Sequence, residues 1–463
     1  MAQSFPSQSY LAAELRVLHE QGFDIAAPER ELAAAAGLPE ADAARARQTI
    51  LASLSELPKR RGFAFEEPSE LEAIRAARPE GPRRMPLRAD ERARFDRTFG
   101  AWVGRCAGCL LGRPCEGWPR GRIEHVLRSL HAWPLSAYWP AVQDTSELPT
   151  DMRWIWRRPD TWSDPPGTVS YPGPDSPELR PNITQMVRDD DLDYPILGLH
   201  LLERHGPDFT TAEVAWGWLL RLPYYCTYGA ERQAYKNLIN GLEPPETARY
   251  GNTEREYIGA QIRADVWGLA APGWPEMAAE FAWRDACLSH VKNGIYGEMF
   301  FAALLSAALI ESDLNKLIEI GLSEVPRGTR FEQAVLKVVE WCEGDADWPE
   351  TRDRIEREYG HYSPVHVIPN AAVVLMALLH ARGDFERAIT IAVMSGWDTD
   401  CNGATAGSVM GAVLGRKALP AKWADPLNDT VMSYVRDYPV NHISELARRT
   451  IAVQQQVLSQ SKQ

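Results

Sequence analysis

The sequence Asp398-Thr399-Asp400-Cys401-Asn402-Gly403 places two carboxylates directly before a run of small residues that ends at Gly415. From position 403 to position 415, glycine recurs at every fourth residue. Residues four apart lie on one face of an α-helix, and glycine on that face lets a second backbone approach closely. The pattern therefore predicts a buried helix with Asp398 and Asp400 at its N-terminus, where the helix dipole favours negative charge.

This segment alone leaves two interpretations of the carboxylates open. It is not an EF-hand loop, because such a loop needs a glutamate six residues after its glycine, and the residue there is Val409. The carboxylates could cap the N-terminus of a buried helix. They could equally belong to a metal site.

A second acidic group, Asp189-Asp190-Asp191-Leu192-Asp193, also precedes an apolar helical segment. We call residues 189–193 the early acidic group and residues 398–402 the late acidic group. Two carboxylates ~4 Å apart repel each other by about 4 kcal/mol at an effective dielectric constant of 20. If the groups meet, they therefore need cations, and oxygen ligands favour Mg²⁺, Mn²⁺ or Ca²⁺ over zinc. If they do not meet, both are solvated helix caps.

Composition limits the class of protein. The net charge of −13 and the lack of a basic stripe with interleaved aromatic residues argue against a nucleic-acid partner. Seven scattered cysteines without a secretory signal favour a reduced, cytoplasmic protein. No apolar run reaches about 18 residues, so no membrane-spanning helix is expected. The oligomeric state stays open.

Helical patterns dominate the chain from Tyr194 onward, and alternating strands rich in Val, Ile and Thr are nearly absent. The sequence therefore predicts an all-α fold. We assign residues 1–92 to an N-terminal helical appendage with a linker or wrapped arm, and residues 93–463 to the main domain. Every motif follows residue 95, so the appendage is expected to be dispensable for chemistry.

Four motifs in order make the chain resemble the ADP-ribosylglycohydrolase family, relatives of the dinitrogenase reductase-activating glycohydrolases. The family has an early T-D-D motif and a late G-D-T-D-T/C-N motif, which correspond here to 189–191 and 396–402. Its opening glycine-rich segment resembles Gly104 to Gly112, followed by Glu116. Further similarity lies at Ala279 to His290, Ile368 to Ala372 and Ala404 to Gly415. The likeness spans roughly 95–420.

The resemblance implies an all-α multi-helix fold, two Mg²⁺ or Mn²⁺ ions, and cleavage of the bond from ribose C1 to nitrogen or oxygen. The implied metal ligands are Asp189, Asp190, Asp191, Asp398 and Asp400. Two positions depart from the family pattern. Asp189 replaces a threonine, and Cys401 takes the place of a late threonine that often binds metal. Because a thiol is a poor ligand for a hard ion, the backbone, water or Asn402 would serve instead.

The reaction itself needs a proton acceptor. Departure of the leaving group builds positive charge at ribose C1. By the resemblance, the cations hold the ribose hydroxyls and position or acidify a water molecule. Glu116 or Asp398 could then accept a proton from that water.

The family also holds the substrate diphosphate with a glycine-rich loop, whose counterpart here is 258–263. This stretch has lost most of the glycines, which weakens the case for a full ADP-ribose substrate. The candidate substrate-binding residues are Gly259, Gln261, His290, Asn293, Tyr296, Gly297 and Asn402. For residues 293–297 a helix-opening turn is an alternative, and His290 could be a core histidine.

These observations predict a metal-dependent hydrolase that acts on ADP-ribosylated proteins or ADP-ribose-like compounds. One alternative is a hydrolase of a smaller N-ribosyl metabolite, which the altered glycine loop favours. The other is a non-catalytic ligand-binding protein on the same fold, which Asp189 and Cys401 favour. The leaving group and the stereochemistry are not determined by the sequence.

Overall fold

The computed structural model describes residues 6–87, 90–150, 152–155 and 170–460. The N-terminal helices are α1 (Gln8–Glu20), α2 (Ala26–Ala35), α3 (Glu40–Ser53) and α4 (Leu71–Ala77). They are followed by α5 (Glu91–Gly112), α6 (Arg120–Ser129), α7 (Asp190–His205), α8 (Thr211–Arg221), α9 (Gly229–Ile239), α10 (Glu246–Arg249), α11 (Ala264–Ala270) and α12 (Pro275–Ala286). The remaining helices are α13 (Asn293–Ala308), α14 (Leu314–Leu322), α15 (Arg330–Gly344), α16 (Trp348–Tyr359), α17 (Val367–Ala381), α18 (Phe385–Met394), α19 (Thr399–Leu414), α20 (Ala421–Ala424) and α21 (Ile443–Gln460).

Among the described residues, four strands of three residues each form two separate pairs. Strand β1 (Arg153–Ile155) runs parallel to β2 (Ser170–Pro172). Strand β3 (Thr430–Met432) runs antiparallel to β4 (Val440–His442), with Val431 opposite Asn441. The prediction of an all-α fold is confirmed. None of the described helices combines the length and the hydropathy needed to cross a membrane.

Helix α13 lies at the centre of the main core, and every one of its residues is buried. It packs against α11, α12, α14 and α17. A helix that is mostly apolar on all sides belongs inside a large protein. Helix α13 also contacts α19, so the late acidic group lies beside this core.

Helices α5 and α19 pack against each other through a glycine zipper, the facing glycines of the two helices. The pairs are Gly100 with Gly411, Gly104 with Gly407, and Gly108 with Gly403. A Cβ atom on Gly108 would lie 1.8 Å from the carbonyl oxygen of Gly403, so the backbones touch directly. Because the helices are antiparallel, the C-terminal end of α5 lies beside the N-terminal end of α19. There, the Thr399 hydroxyl donates to the Gly112 carbonyl at 2.8 Å.

The N-terminal region consists of two parts with different packing. Helices α1 to α3 enclose a small apolar core of their own, which includes Leu11, Leu15 and Ile50. Residues 63–87 instead wrap around the main body, and Ile74 belongs to the main core. The assignment of a single appendage over 1–92 stays a prediction, but its second half packs as part of the main body.

Two arginines of this wrapping segment neutralise a fully buried carboxylate of the main body. Arg83 donates to Glu324 at 2.9 Å, and Arg78 donates to the other oxygen of the same carboxylate. The Tyr296 hydroxyl also donates to the Pro68 carbonyl. The segment therefore supplies charge that the core of the main body requires.

We expect a chain truncated to residues 91–463 to be less stable than one truncated to 63–463. Removing both arginine partners leaves Glu324 as a buried unpaired charge, which typically costs about 3–5 kcal/mol. Denaturant unfolding of the two truncated chains measures the difference. Equal stabilities would show that the wrapping segment is a linker without a structural role.

Candidate active site

The early and late acidic groups meet in the fold, although they lie far apart in the chain. Ligand atoms of Asp191, Asp400 and Cys401 all lie within 4.8 Å of one another, and so do those of Glu116, Asp398 and Asp400. Asp400 belongs to both sets. The prediction that the two groups meet is thereby confirmed, while the role of each residue as a metal ligand stays a prediction.

The packing of the helices explains why the two acidic groups meet. The glycine zipper places the C-terminal end of α5, and with it the loop that carries Glu116, beside the N-terminal end of α19. Asp400 lies in the first turn of α19, and Asp191 lies in the first turn of α7. Two helix N-termini therefore point their positive ends at one cluster of carboxylates, which lowers the cost of gathering negative charge.

Asp189 acts as the N-cap of α7. Its side chain accepts a hydrogen bond from the Asp191 amide at 2.9 Å. The helix-cap interpretation therefore holds for Asp189. It does not account for the buried Oδ1 atoms of Asp398 and Asp400, which accept no hydrogen bond from the described residues.

Three arginines pair with the early acidic group, and none of them was identified from the sequence. Arg105 donates to the Asp191 carboxylate at 2.8 Å, Arg188 donates to Asp193, and Arg113 donates to Asp189. The repulsion between the carboxylates is therefore partly balanced by the protein itself. The sequence analysis expected bound cations to offset the repulsion between the carboxylates, but arginine side chains of the protein offset part of it.

Arg105 also resolves a backbone problem inside α7. Pro195 has no N–H group, so the Asp191 carbonyl lacks its normal helical donor four residues later. The Arg105 Nε group donates to that carbonyl at 2.7 Å. Arg105 thus fixes both the backbone and the side chain of Asp191, and it is itself fully buried.

The late acidic group has no comparable arginine in the ion pairs of the described residues. Among the described residues, the buried carboxylate oxygens of the site without a hydrogen-bond partner are Oδ2 of Asp191 and the Oδ1 atoms of Asp398 and Asp400. Burial raises the pKa of Asp400 well above its ordinary value, and the nearby charges of Glu116 and Asp398 raise it further. Since an unpartnered buried carboxylate is unfavourable, these oxygens fit a bound cation.

The donor set favours a hard cation. Burial raises the pKa of the Cys401 thiol well above its ordinary value, so this residue remains a thiol and is a poor ligand for Mg²⁺ or Mn²⁺. Asn402 retains a buried Oδ1 atom without a hydrogen-bond donor among the described residues. Asp190 belongs to none of the ligand-atom sets found in the described part of the chain.

A strained turn connects the loop after Glu116 to the late acidic group. Trp397 has a positive φ of 70°, which costs a non-glycine residue about 1–3 kcal/mol. Both of its backbone groups are held, because Gly117 N–H donates to its carbonyl at 2.8 Å and its N–H donates to the Trp118 carbonyl at 3.0 Å. The Arg352 guanidinium lies 3.8 Å from the centre of the indole ring. The strain is therefore concentrated directly before Asp398.

Asn370, at the start of α17, anchors the late acidic group from the other side. Its Oδ1 atom accepts from the Asn402 side chain at 2.8 Å and from the Asp398 amide at 3.4 Å. Its Nδ2 group donates to the carbonyls of Pro364 and His366 at 2.7 and 2.9 Å. The carbonyls fix the orientation of the amide, so its oxygen must face the late acidic group.

We expect Asn370→Ala to weaken Mn²⁺ binding by about 10- to 100-fold, as is typical when a group that orients metal ligands is lost. Calorimetric titration with Mn²⁺ measures the affinity. The matched control is Asn237→Ala, because Asn237 is equally buried and also donates to two carbonyls, those of Thr247 and Tyr250. An equal loss of affinity in both variants would contradict a specific role for Asn370.

Asn402 lies in the late acidic group, and the other predicted substrate-binding residues divide into two sets. Gly259, Gln261 and Gly297 lie together, since a Cβ atom on Gly297 would be 3.3 Å from the Gln261 amide oxygen and Gly259 lies two residues before Gln261. Both amide atoms of Gln261 are buried without a hydrogen-bond partner among the described residues. The next residue, Ile262, accepts from Arg105 at 2.5 Å, which links this loop to Asp191.

The second set has partners within the protein. Asn293 donates to Glu256 at 2.6 Å and accepts from the Phe331 amide, while Tyr296 bonds to the wrapping segment. Residues 293–297 form the first turn of α13. His290 is buried, and burial lowers its pKa well below the ordinary value, so it is neutral. The roles of these residues in substrate binding stay predictions.

Comparison with known proteins agrees with the sequence motifs. A family model described as ADP-ribosylglycohydrolase matches residues 90–459, which is more than half of the chain. A solved structure described as an ADP-ribosylglycohydrolase-related protein complex is similar at 19% sequence identity and a TM-score of 0.47. That similarity covers 79% of this chain and 99% of the other. The comparison with curated proteins gives no match.

Proposed function

The chain belongs to the ADP-ribosylglycohydrolase family, and we propose that it is a metal-dependent hydrolase that cleaves the glycosidic bond at C1 of a ribose. The observation that carries the proposal is that Asp191, Asp398 and Asp400 each keep a buried carboxylate oxygen without a hydrogen-bond partner among the described residues. Asp400 joins them, because its ligand atom lies within 4.8 Å of Asp191 in one set and of Asp398 and Glu116 in another. Such a cluster of oxygen ligands suits Mg²⁺ or Mn²⁺.

The residues of the site suit hydrolysis. A bound divalent cation would supply a Lewis acid that lowers the pKa of a water molecule. Glu116 is exposed and lies beside Asp400, so it can reach both the site and the solvent. We assign Glu116 as the general base that takes a proton from the attacking water. Asp398 is the alternative base, but its burial and its place among the ligand oxygens favour cation binding.

The leading substrate class is an ADP-ribosylated protein side chain or an ADP-ribose-like compound. One contact favours the second candidate, a smaller N-ribosyl compound without a diphosphate. A Cβ atom on Gly259 would lie 2.1 Å from the Glu231 carboxylate, and Arg263 holds that carboxylate at 2.8 Å. In the loop that resembles the family's phosphate-binding segment, an acidic side chain paired with an arginine therefore packs against the glycine and fills the space beside its backbone.

Product analysis with defined substrates tests the proposal. ADP-ribosylated protein, a small ADP-ribosyl compound and an N-ribosyl compound without phosphate are incubated with Mn²⁺ or with a chelator, and released ribose or ADP-ribose is measured by mass spectrometry. We expect hydrolysis only with the metal. Glu116→Gln should retain Mn²⁺ binding and lose turnover.

The outcomes separate the alternatives. Turnover in the presence of the chelator would contradict metal dependence. Turnover of the phosphate-free compound alone would select the smaller substrate. Tight binding of a ribosyl compound without turnover of any substrate would support the non-catalytic ligand-binding alternative.

A further inference from the structure

We infer that the Arg113 guanidinium takes the place of a second cation, so that this centre binds one divalent ion and not two. The inference rests on the proposed function, because it concerns the same centre. It differs from what the family resemblance implies, which is a pair of ions. The inference is based on the hydrogen bonds and ion pairs of Asp189, Asp193 and Arg113.

Both oxygens of Asp189 accept a hydrogen bond within the protein. Oδ1 accepts from the Asp191 amide at 2.9 Å, and Oδ2 accepts from Arg113. The residue is 3% exposed. This position holds a threonine in the family motif, and a threonine hydroxyl offers no charge to pair with an arginine. The aspartate and the arginine thus form a matched pair in this chain.

Arg113 is held from its other side as well. Its Nε and Nη2 groups donate to one oxygen of Glu178 at 3.0 and 2.7 Å, and Glu178 is buried. If the guanidinium moved away to admit a metal ion, Glu178 and Asp189 would both lose their ion pair with Arg113. Arginine also keeps its charge at every accessible pH. A second divalent ion on Asp189 would therefore lie beside a fixed positive charge in a buried environment, where like charges repel strongly.

Asp193 is not available either. One of its oxygens accepts from Arg188 at 2.8 Å, and the other accepts from the Tyr434 amide at 2.8 Å. Within the early acidic group, among the described residues, only Asp191 has a buried oxygen that accepts no hydrogen bond. Asp400 is the common member of two ligand-atom sets, one with Asp191 and Cys401 and one with Asp398 and Glu116. An ion held at Asp400 can therefore take a second carboxylate oxygen from either set, with water completing its shell.

The stoichiometry of Mn²⁺ binding tests the inference. The full-length chain is dialysed against Mn²⁺, bound metal is counted by mass spectrometry, and the frozen sample is examined by electron paramagnetic resonance. We expect one ion per chain and the hyperfine pattern of an isolated Mn²⁺. Two ions per chain with an exchange-coupled spectrum would overturn this inference and leave the proposed function intact. No bound ion would overturn both.

Substitution of Arg113 gives an independent test. Arg113→Met removes the charge but keeps the length of the side chain, and we expect it to admit a second Mn²⁺ per chain. Arg113→Lys keeps the charge and should bind one ion. The control Arg128→Met alters an exposed arginine that pairs with Glu124, and it should also bind one. A single ion in a folded Arg113→Met variant would overturn the inference. If that variant does not fold, the number of Mn²⁺ ions bound to the wild type and its electron paramagnetic resonance spectrum decide whether the centre holds one ion or two.

Discussion

The Asp400→Asn variant is expected to lose both its stabilisation by Mn²⁺ and its turnover. Asp400 is shared by the ligand-atom set that contains Asp191 and the set that contains Glu116, and its Oδ1 atom has no protein partner among the described residues. In the wild type, Mn²⁺ should raise the melting temperature, because a ligand at 100 times its Kd stabilises the native state by about 2.7 kcal/mol. Thermal-shift titration with Mn²⁺ and with a chelator measures the effect.

The same variant should melt at a higher temperature than the wild type when no metal is present, since one carboxylate of a repelling cluster is gone. The control is Asp384→Ala, which removes an exposed helix cap that accepts from the Arg387 amide at 2.8 Å. That loss should cost about 1 kcal/mol with or without Mn²⁺. If the wild type shows no shift with Mn²⁺, and Asp400→Asn behaves like Asp384→Ala, the metal-dependent mechanism is wrong.

Gly108→Ala is expected to destabilise the chain by about 3 kcal/mol or more, at the upper end of what overpacking costs. The added Cβ atom would lie 1.8 Å from the Gly403 carbonyl oxygen and 2.4 Å from its carbon. Both atoms belong to the backbone of a helix, so no side chain can rotate to make room. Denaturant unfolding, monitored by circular dichroism, measures the loss.

Gly121→Ala is the matched control, because it also places an alanine in a helix. A Cβ atom on Gly121 meets nothing within 4 Å, and alanine is the better helix former. Its stability should be unchanged or slightly higher. If Gly108→Ala unfolds at the same denaturant concentration as Gly121→Ala, the zipper is not the close contact that the distances describe.

The sequence predicted the elements of the site that repeat or cluster locally. The four-residue spacing of glycine identified α19 as a buried helix. The charge of each acidic group predicted either bound cations, if the two groups meet, or solvated helix caps, if they do not. In the structure, both α7 and α19 begin among the acidic residues. A helix N-terminus stabilises carboxylates in its first turn, so the acidic residues belong inside the helices.

The contacts that balance the acidic groups could not be predicted in the same way. Arg105 and Arg113 lie in a different helical segment from their aspartate partners, and nothing local to an arginine identifies which carboxylate it will meet. The Asn370 contacts have the same character, since they join the starts of α17 and α19. Pro195 did carry a local signal, because its missing N–H leaves the Asp191 carbonyl in need of a donor.

The periodicity of the zipper between α5 and α19 has a consequence for alignment. Two ladders of glycine with the same four-residue repeat fit together again after one helix slides by one repeat, a displacement of about 6 Å. The glycine contacts alone therefore do not determine the register in which the two helices pack. Such a slip would preserve much of the backbone contact but would move Asp400 out of reach of Asp191. The register must therefore be set by contacts outside the repeated glycines. The hydrogen bond from the Thr399 hydroxyl to the Gly112 carbonyl is such a contact at this end of the two helices.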